Sequence, residues 1–255
     1  QSSVLMGVPT FYVRLLENPN LKNAAKKMRL FVSGSAPMLP QTHALWKKLT
    51  GQVILERYGM TETSMNTSNP YFGERRAGTA GLPLPGVEVI VTDPETGKVL
   101  QDGGPGMIEI RGPNVFKGYW GMPEKTADEL RENGFFITGD LGEISKDGYV
   151  SLVGRSKDLI ISGGHNIYPK EIELLLDRII GVFESAVIGV PHPDLGEAVV
   201  AVIVNEPGIN LNHDSITDSL HKNIARFKHP KQINFVAELP RNSMGKVQKN
   251  VLREY

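Results

Sequence analysis

The sequence has 255 residues, with 28 Lys and Arg against 28 Asp and Glu, so the formal net charge at neutral pH is zero. A chain without net positive charge is not expected to bind nucleic acid, and no apolar run approaches the ~18 residues that a membrane-spanning helix requires. The absence of cysteine excludes disulfides and a thiol nucleophile, and together with a first segment unlike a signal peptide it predicts a cytoplasmic protein.

Helical and extended patterns alternate at the start of the chain. Apolar spacing predicts helices in "TFYVRLLENP" and "LPQTHALWKKLTG", and the second ends at Gly51, a typical helix stop. Short apolar runs at residues 30–32 and 53–55 predict strands. Strand, helix and strand in this order predict the parallel sheet of an α/β domain.

The region of about residues 70–155 predicts a small β-rich subdomain. Strands are expected in "VEVIVTD", "GMIEIRG", "GFFITGD" and "YVSLVG", with turns at "DPETGK" and "SKDGY". The one helical insert is "MPEKTADELREN", where Pro123 suits a first helical turn.

The pattern changes again near Lys157, where we place a boundary between a first domain, 1–156, and a second, 157–255. In the second, "PKEIELLLDRI" and "HDSITDSLHKNIARF" predict helices, and "SAVIGVP", "AVVAVIV" and "QINFVAEL" predict strands. A basic helix is expected in "KVQKNVLREY". This mixture predicts a small α+β domain.

The segment "YGMTET", residues 58–63, carries residue types suited to nucleotide chemistry. A glycine lets the backbone approach a ligand, a threonine hydroxyl can bond a phosphate oxygen, and a glutamate can hold Mg²⁺. The segment follows an apolar run, and α/β sheets bind their ligands where parallel strands end. The alternative is a strand-to-loop turn with ordinary polar caps.

Three more segments each allow a functional and a structural interpretation. Asp140 in "FITGD" can bind a pair of ribose hydroxyls, but Asp after Gly is usually turn chemistry. Lys246 in "LPRNSMGKVQK" can reach a phosphate, or it can be an ordinary solvated lysine. "GRSKDLIISGGHNIYP" surrounds an apolar block with charges and glycines, unlike a plain flexible linker.

Together and in this order, "YGMTET", "TGD", "GRSKDLI..GG.NIYP" and "PRNSMGK" resemble the core motifs of the adenylate-forming family, which includes acyl-CoA synthetases, luciferases and peptide-synthetase adenylation domains. The resemblance implies the later part of the large adenylate-forming domain, with a parallel sheet and a β-rich subdomain, followed by the small mobile C-terminal domain. The family's phosphate loop does not occur in the sequence, so we expect a missing N-terminal half, a partner chain or self-association to complete the fold.

The resemblance also implies that a carboxylic acid reacts with ATP and Mg²⁺ to form an acyl-adenylate, whose acyl group then passes to coenzyme A. The catalytic residues would be Lys246, Thr61 and Glu62, with Glu62 holding Mg²⁺. The nucleotide would contact Ser35, Ala36, Glu56, Arg57, Tyr58, Gly59, Met60, Thr61, Asp140 and Arg155. The coenzyme A channel would be lined by Gly163, Gly164 and His165, and the second domain would turn at Lys157.

The acyl pocket would be lined by Ser33, Gly34, Met65 and Arg57. A buried cation is costly unless an anion pairs with it, and arginine favours the fork geometry of a carboxylate. Small walls and Arg57 therefore predict a short dicarboxylic acid. The segments "ERYGMTET", "GPNVFKGYW", "GFFITGDLG" and "PRNSMGKVQKNVLRE" resemble those of malonate–CoA ligases, and this resemblance implies malonate as the substrate. Methylmalonate is an alternative substrate, since one methyl group is worth only ~1–3 kcal/mol.

Arg57 and the chain as a whole each allow a second interpretation. Arg57 can instead pair with Glu56 or another acid at a surface. The chain can be a non-catalytic nucleotide-binding or interaction module, although such a module has no use for Lys246, Glu62 and Arg57 together. A purely structural β-rich scaffold leaves the four motifs unexplained.

Overall fold

A computed structural model of the chain describes residues 2–101, 104–242 and 245–254. The chain divides into two compact units, Gln1–Leu152 and Val153–Tyr255. The boundary expected before Lys157 lies a few residues beyond this division and stays a prediction. Within the described ranges, every helix is too short or too polar to cross a membrane.

The first unit contains a five-stranded sheet in the order β1-β2-β3-β4-β5. Its strands are β1 Val4–Gly7, β2 Leu30–Ser33, β3 Leu55–Met60, β4 Ser64–Ser68 and β5 Leu82–Pro83. The first three strands are parallel, as predicted, whereas β4 and β5 pair antiparallel. Strand β1 and the antiparallel strands were not predicted, because their short runs lack a strong periodic pattern.

Three helices connect the parallel strands: α1 Pro9–Leu16, α2 Leu21–Ala25 and α3 Pro40–Thr50. Proline in the first turn favours the start of α1 and α3, and Gly51 ends α3 in the left-handed conformation. Tyr12 and Trp46 are fully buried and pack edge to face, 4.9 Å between ring centroids. Tyr12 also donates a hydrogen bond to the Val32 carbonyl at 2.6 Å, which ties α1 to the end of β2.

The β-rich region of the first unit is a four-stranded sheet in the order β6-β7-β8-β9. Its elements are β6 Glu88–Thr92, β7 Gly106–Arg111, helix α4 Pro123–Glu129, β8 Phe136–Ile144 and β9 Val150–Arg155. The expectation that the apolar run ends in a Gly-Asp turn at Asp140 is wrong, because β8 continues to Ile144. Ile108, Ile110 and Val150 of this sheet pack with Tyr58 of β3.

The second unit is built on a further sheet, in which β13 lies between β10 and β12 and also pairs with β14. Its strands are β10 Ile160–Ser162, β11 His165–Ile167, β12 Val182–His192, β13 Gly196–Asn205 and β14 Gln232–Val236. Its helices are α5 Pro169–Leu176, α6 His213–His221 and α7 Lys249–Leu252, with 3₁₀ turns at Ser156–Asp158 and Arg226–Lys228.

All three predicted helices of the second unit are shorter than expected. The helix predicted to reach residue 179 ends at Leu176. The helix predicted to reach residue 227 ends at His221, where the Asn223 side chain donates to the Ser219 carbonyl and competes with helical bonding. The terminal helix is confined to α7 within the described residues, and Tyr255 of that prediction lies outside them.

Candidate active site

The segment "ERYGMTET" forms most of β3 and the turn that follows it. The expected strand at residues 53–55 is displaced: β3 begins at Leu55 and continues through Met60. On one side β3 pairs with β2, and on the other it pairs with β4 across a bulge between Tyr58 and Gly59. The polar residues therefore lie in the strand itself, where successive side chains face opposite sides of the sheet.

Glu56 faces the interior and is buried. Its carboxylate accepts hydrogen bonds from the backbone N–H groups of Met38 and Gly78, each at 3.3 Å. Burial raises the pKa of Glu56 to about 7, against the opposing effect of these two hydrogen bonds. Glu56 thus joins two loops to β3, and its side chain is used as a structural anchor.

Arg57 occupies the next position of β3 and is half-buried. Its guanidinium lies against the backbone of Gly34, since a Cβ at that glycine would stand 2.9 Å from Arg57 Cζ. Arg57 Nε is buried without a hydrogen-bond partner. In the part of the chain that the structure describes, no acid pairs with this arginine, so a surface ion pair between Arg57 and Glu56 is not formed.

The other three residues predicted to line the acyl pocket, Ser33, Gly34 and Met65, lie on or next to the strands that flank β3. Gly34 leaves the space that the guanidinium fills, and any larger residue would displace it. Ser33 pairs in register with Glu56, and its buried hydroxyl lacks a hydrogen-bond partner. Met65 on β4 pairs with Gly59.

Tyr58 and Asp140 bring two of the four motifs together. The Tyr58 hydroxyl donates to the Asp140 carboxylate at 2.6 Å, and both residues are buried. They are far apart in the sequence and meet because the β8 strand packs near β3. The carboxylate of Asp140 therefore lies within strand β8 and is fixed by its hydrogen bond with Tyr58.

The turn after β3 is tight. A Cβ at Gly59 would stand 2.0 Å from the Ser64 carbonyl oxygen, so a side chain there would clash with backbone. Thr63 N–H closes the turn on the Met60 carbonyl at 3.2 Å, and Ser64 has a positive φ of 53°. Thr61 projects from this turn to the surface.

The loop after β2 also exposes candidate nucleotide contacts. Ser35 and Ala36 are exposed, and Ser35 has a φ of 69°, an uncommon conformation for a residue other than glycine. Strained backbone of this kind is concentrated at functional sites. This loop directly follows Gly34, which contacts Arg57.

Glu62 is held by residues that no motif in the sequence identifies. Its Oε1 accepts a hydrogen bond from the Tyr119 hydroxyl at 3.3 Å, and the same hydroxyl donates to Glu129 Oε2 at 2.6 Å. Burial, the hydrogen bond to Glu129 and the nearby carboxylates raise the pKa of Tyr119, so the phenol keeps its proton. Asn114 adds a hydrogen bond to the Thr63 carbonyl at 2.7 Å.

The surroundings of Glu62 fit a magnesium ion that also binds phosphate. Mg²⁺ is usually held by one or two carboxylates together with substrate phosphates and water. Within residues 2–101, 104–242 and 245–254, no three His, Asp or Glu side chains form a complete metal-binding group. A metal at Glu62 therefore needs oxygen ligands from a phosphate.

The remaining predicted residues belong to the second unit. Arg155 ends β9, and Lys157 lies in the 3₁₀ turn; both are exposed. Gly163 and Gly164, with φ of 57° and 78°, form the two-residue turn between β10 and β11, a conformation that favours glycine. His165 follows this turn and stacks on Phe227 at 4.4 Å between ring centroids.

Lys246 lies on a short turn. Its N–H donates to the Asn242 side chain at 3.0 Å, and Gly245 before it has a φ of 77°. Ser243 and Met244 of the same motif lie outside the described residues. The backbone at Lys246 is thus fixed by local hydrogen bonds.

Comparisons with known proteins agree with this geometry. The family model described as AMP-binding enzyme matches residues 1–120, and the model of the AMP-binding enzyme C-terminal domain matches residues 171–246. A probable CoA ligase from Humulus lupulus is 41% identical over 99% of this chain and 45% of its own length. The malonate–CoA ligase of Arabidopsis thaliana is 37% identical over 99% of this chain and 44% of its own length.

Solved structures of AMP-binding and related enzymes match the chain over nearly its whole length. ATP-bound MatB from Rhodopseudomonas palustris matches with a TM-score of 0.96 and 60% identity, covering 100% of this chain and 51% of that protein. An amide bond synthetase from Marinactinospora thermotolerans matches with a TM-score of 0.91 and 31% identity, covering 99% of this chain and 52% of that protein. The chain spans about half the length of the relatives that it matches. Because both family models match in the expected order and together cover most of the sequence, the chain belongs to the family of AMP-binding enzymes.

Proposed function

We propose that this chain takes part in the ATP-dependent ligation of malonate to coenzyme A through a malonyl-adenylate. The observation that carries this proposal is Arg57, a half-buried guanidinium packed on Gly34, with no acid paired to it among the described residues and with Nε lacking a partner. A buried cation of this kind favours a ligand carboxylate. The similarity to a plant malonate–CoA ligase supports the same substrate.

In the first half-reaction, the malonate carboxylate that reacts attacks the α-phosphorus of ATP, and pyrophosphate leaves. Arg57 holds the other carboxylate, and Met65 and Gly34 limit the size of the pocket. Asp140, held by Tyr58, and Arg155 bind the ribose hydroxyls, while Thr61 contacts the phosphates. The backbone of Ser35, Ala36, Gly59 and Met60 lies along the nucleotide.

Two anions must approach each other in this step, so positive charge at the reacting oxygens lowers the barrier most. Lys246 supplies one such charge to the carboxylate and the α-phosphate. Glu62 holds Mg²⁺, which when bound neutralises phosphate charge. No side-chain nucleophile is required, consistent with a chain that lacks cysteine.

In the second half-reaction, the thiol of coenzyme A displaces AMP from the malonyl-adenylate. We assign the channel for coenzyme A to the turn formed by Gly163 and Gly164 and to His165. The second unit turns at Lys157 between the two half-reactions, and conformational steps of this kind often limit turnover.

The test is malonate-dependent release of pyrophosphate from ATP and Mg²⁺ by this chain, and by a longer protein where the gene encodes one. Acetate, succinate and methylmalonate are parallel substrates. Release with malonate well above the other acids supports the proposal. A preference for methylmalonate would mean that methylmalonate, rather than malonate, is the substrate. ATP binding without release of pyrophosphate by any form of the protein supports the non-catalytic alternative.

Two further expectations belong to this proposal. The lack of cysteine is compatible with the reducing cytoplasm, where we place the reaction.

Strand β1 is at the edge of its sheet and carries the exposed side chain of Met6, and Phe11 of α1 is also exposed. Because open apolar edges promote association, we propose that a further segment of a longer chain, or a second copy, covers this edge; sedimentation of the purified chain distinguishes these arrangements.

A further inference from the structure

Two carboxylates of the first unit share one phenol. Tyr119 O–H lies 2.6 Å from Glu129 Oε2 and 3.3 Å from Glu62 Oε1. Glu62 lies in the turn after β3, and Glu129 is the last residue of α4. The phenol therefore links a helix to the turn that carries the candidate metal ligand.

Tyr119 is itself held from several directions. Its N–H donates to the Thr126 hydroxyl of α4 at 2.9 Å, and its ring packs edge to face on Phe116 at 4.8 Å. Lys125 of α4 lies 4.6 Å from the ring centroid and 3.8 Å from Glu129 Oε1. Phe116 N–H also donates to the Glu62 backbone carbonyl at 2.8 Å.

We infer that Tyr119, anchored by Glu129, is a positioning residue that orients the Glu62 carboxylate toward the magnesium ion of the ATP complex. This inference rests on the proposed function, which assigns Mg²⁺ to Glu62. A phenol has one proton, so the 2.6 Å bond to Glu129 is the main bond and the 3.3 Å bond to Glu62 is the weaker arm of a shared donation, which leaves Glu62 with lone pairs for a metal. Two nearby carboxylates also repel each other, and a bound cation relieves that repulsion.

Hydrogen-bond partners of metal ligands typically contribute 10–100-fold to metal affinity or activity. The direct readout is binding of Mn²⁺ to the protein in the presence of ATP, measured as the loss of the free-Mn²⁺ electron paramagnetic resonance signal beyond the loss that the same concentration of ATP causes without protein. We expect Tyr119→Phe to raise the Mn²⁺ concentration for half-saturation about 10-fold. The same variant should shift the Mg²⁺ dependence of pyrophosphate release without changing the KM for malonate.

Tyr149→Phe is the matched control. It also removes one phenol hydroxyl of the first unit, which donates to the Glu74 carbonyl at 3.1 Å, and it should leave Mn²⁺ half-saturation unchanged. Thermal unfolding without ligand shows whether each variant folds. If Tyr119→Phe does not fold, Glu129→Gln, at a partly exposed position, replaces it and should weaken Mn²⁺ binding in the same direction.

The outcomes separate this inference from the proposed function. Weaker Mn²⁺ binding in both Glu62→Gln and Tyr119→Phe supports it. Weaker binding in Glu62→Gln alone overturns it and leaves the ligase proposal intact. Unchanged binding in Glu62→Gln removes the metal assignment and the inference with it. If Tyr119→Phe weakens Mn²⁺ binding but malonate gives no release of pyrophosphate, malonate is not the substrate and the inference about Tyr119 stands.

Discussion

The turn after β3 and the turn that carries Lys246 hold their candidate residues in different ways. Around β3, three candidate side chains have partners distant in sequence: Glu56 with Gly78, Tyr58 with Asp140, and Glu62 with Tyr119. At the other turn, the described hydrogen bond of the Lys246 N–H is to a near neighbour, Asn242, although Arg241 of the same segment pairs with Glu184. The site around β3 is preorganised by tertiary packing, whereas the backbone at Lys246 depends on local turn chemistry, which agrees with the proposal that a turning second unit brings this residue to the reaction.

The largest effect is expected from a substitution of Lys246, in the turn that is fixed by local hydrogen bonds. Lys246→Ala should reduce pyrophosphate release by about 10²-fold or more, the usual loss when one group that stabilises developing charge is removed. ATP binding should weaken much less than the rate falls, because the proposed contacts of Thr61 and Asp140 with the nucleotide remain. Lys231→Ala, an exposed lysine of the same unit, is the control. A loss of ATP binding equal to the loss of rate would contradict the proposed role.

Arg57 tests the preorganised site. Arg57→Leu should raise the KM for malonate about 30-fold or more, since truncating one partner of a buried charge pair costs about 2–5 kcal/mol. The KM for ATP should change little. Arg57→Lys keeps the charge without the fork and should give an intermediate value. Steady-state kinetics with each substrate varied check this, and proportional changes in both KM values would defeat the pocket assignment.

Glu56 makes the preorganised site sensitive to pH. Its pKa of about 7 in the folded chain lies above the ordinary value of 4.5, so the folded state binds the proton more tightly than the unfolded state. Stability from this group is therefore fully present below about pH 4.5 and is lost as pH rises through about 7. We expect a loss on the order of 3 kcal/mol across that window.

The check is urea unfolding of the unsubstituted chain and of Glu56→Gln between about pH 5 and pH 8. The variant should lack this part of the pH dependence, although it cannot accept both backbone hydrogen bonds with its amide. Parallel pH profiles for the two chains would show that Glu56 does not titrate in this window.

The same contrast between local and tertiary support decides what the sequence could predict. Gly51, Gly163 and Gly164 were identifiable because the conformation of a turn or helix end depends on a few adjacent residues. The parallel pairing of β2 and β3 required only strand and helix patterns. The family resemblance assigned Tyr58 and Asp140 to the same nucleotide, but the hydrogen bond between them was not predicted, since no local pattern pairs residues in separate sheets.

Tyr119 and Glu129 were missed for the same physical reason. Neither stands in an unusual local pattern, and their relation to Glu62 exists only once α4 packs near the β3 turn. The apolar run before Arg57 suggested that the strand ends there, but Met38 N–H donates to the Glu56 carboxylate and the Asn69 side chain donates to the Glu56 carbonyl, and these tertiary hydrogen bonds keep Glu56 within β3. Tertiary contacts here override the local hydrophobic pattern.

The smallest expected effect concerns the proposed hinge. Lys157 is the second residue of a turn in which Leu159 N–H donates to the Ser156 carbonyl at 3.0 Å, and proline is favoured at the second position of such turns. Lys157→Pro should therefore fold normally while fixing φ at this residue. Adenylation, measured as pyrophosphate release, should be nearly unchanged, and formation of the thioester should fall about 10-fold, the size of a barrier increase near 1.4 kcal/mol. Lys157→Ala, which keeps backbone freedom, should retain both half-reactions. Equal losses in the two half-reactions would mean that Lys157 acts through its charge or through stability, and the second unit would then need another hinge.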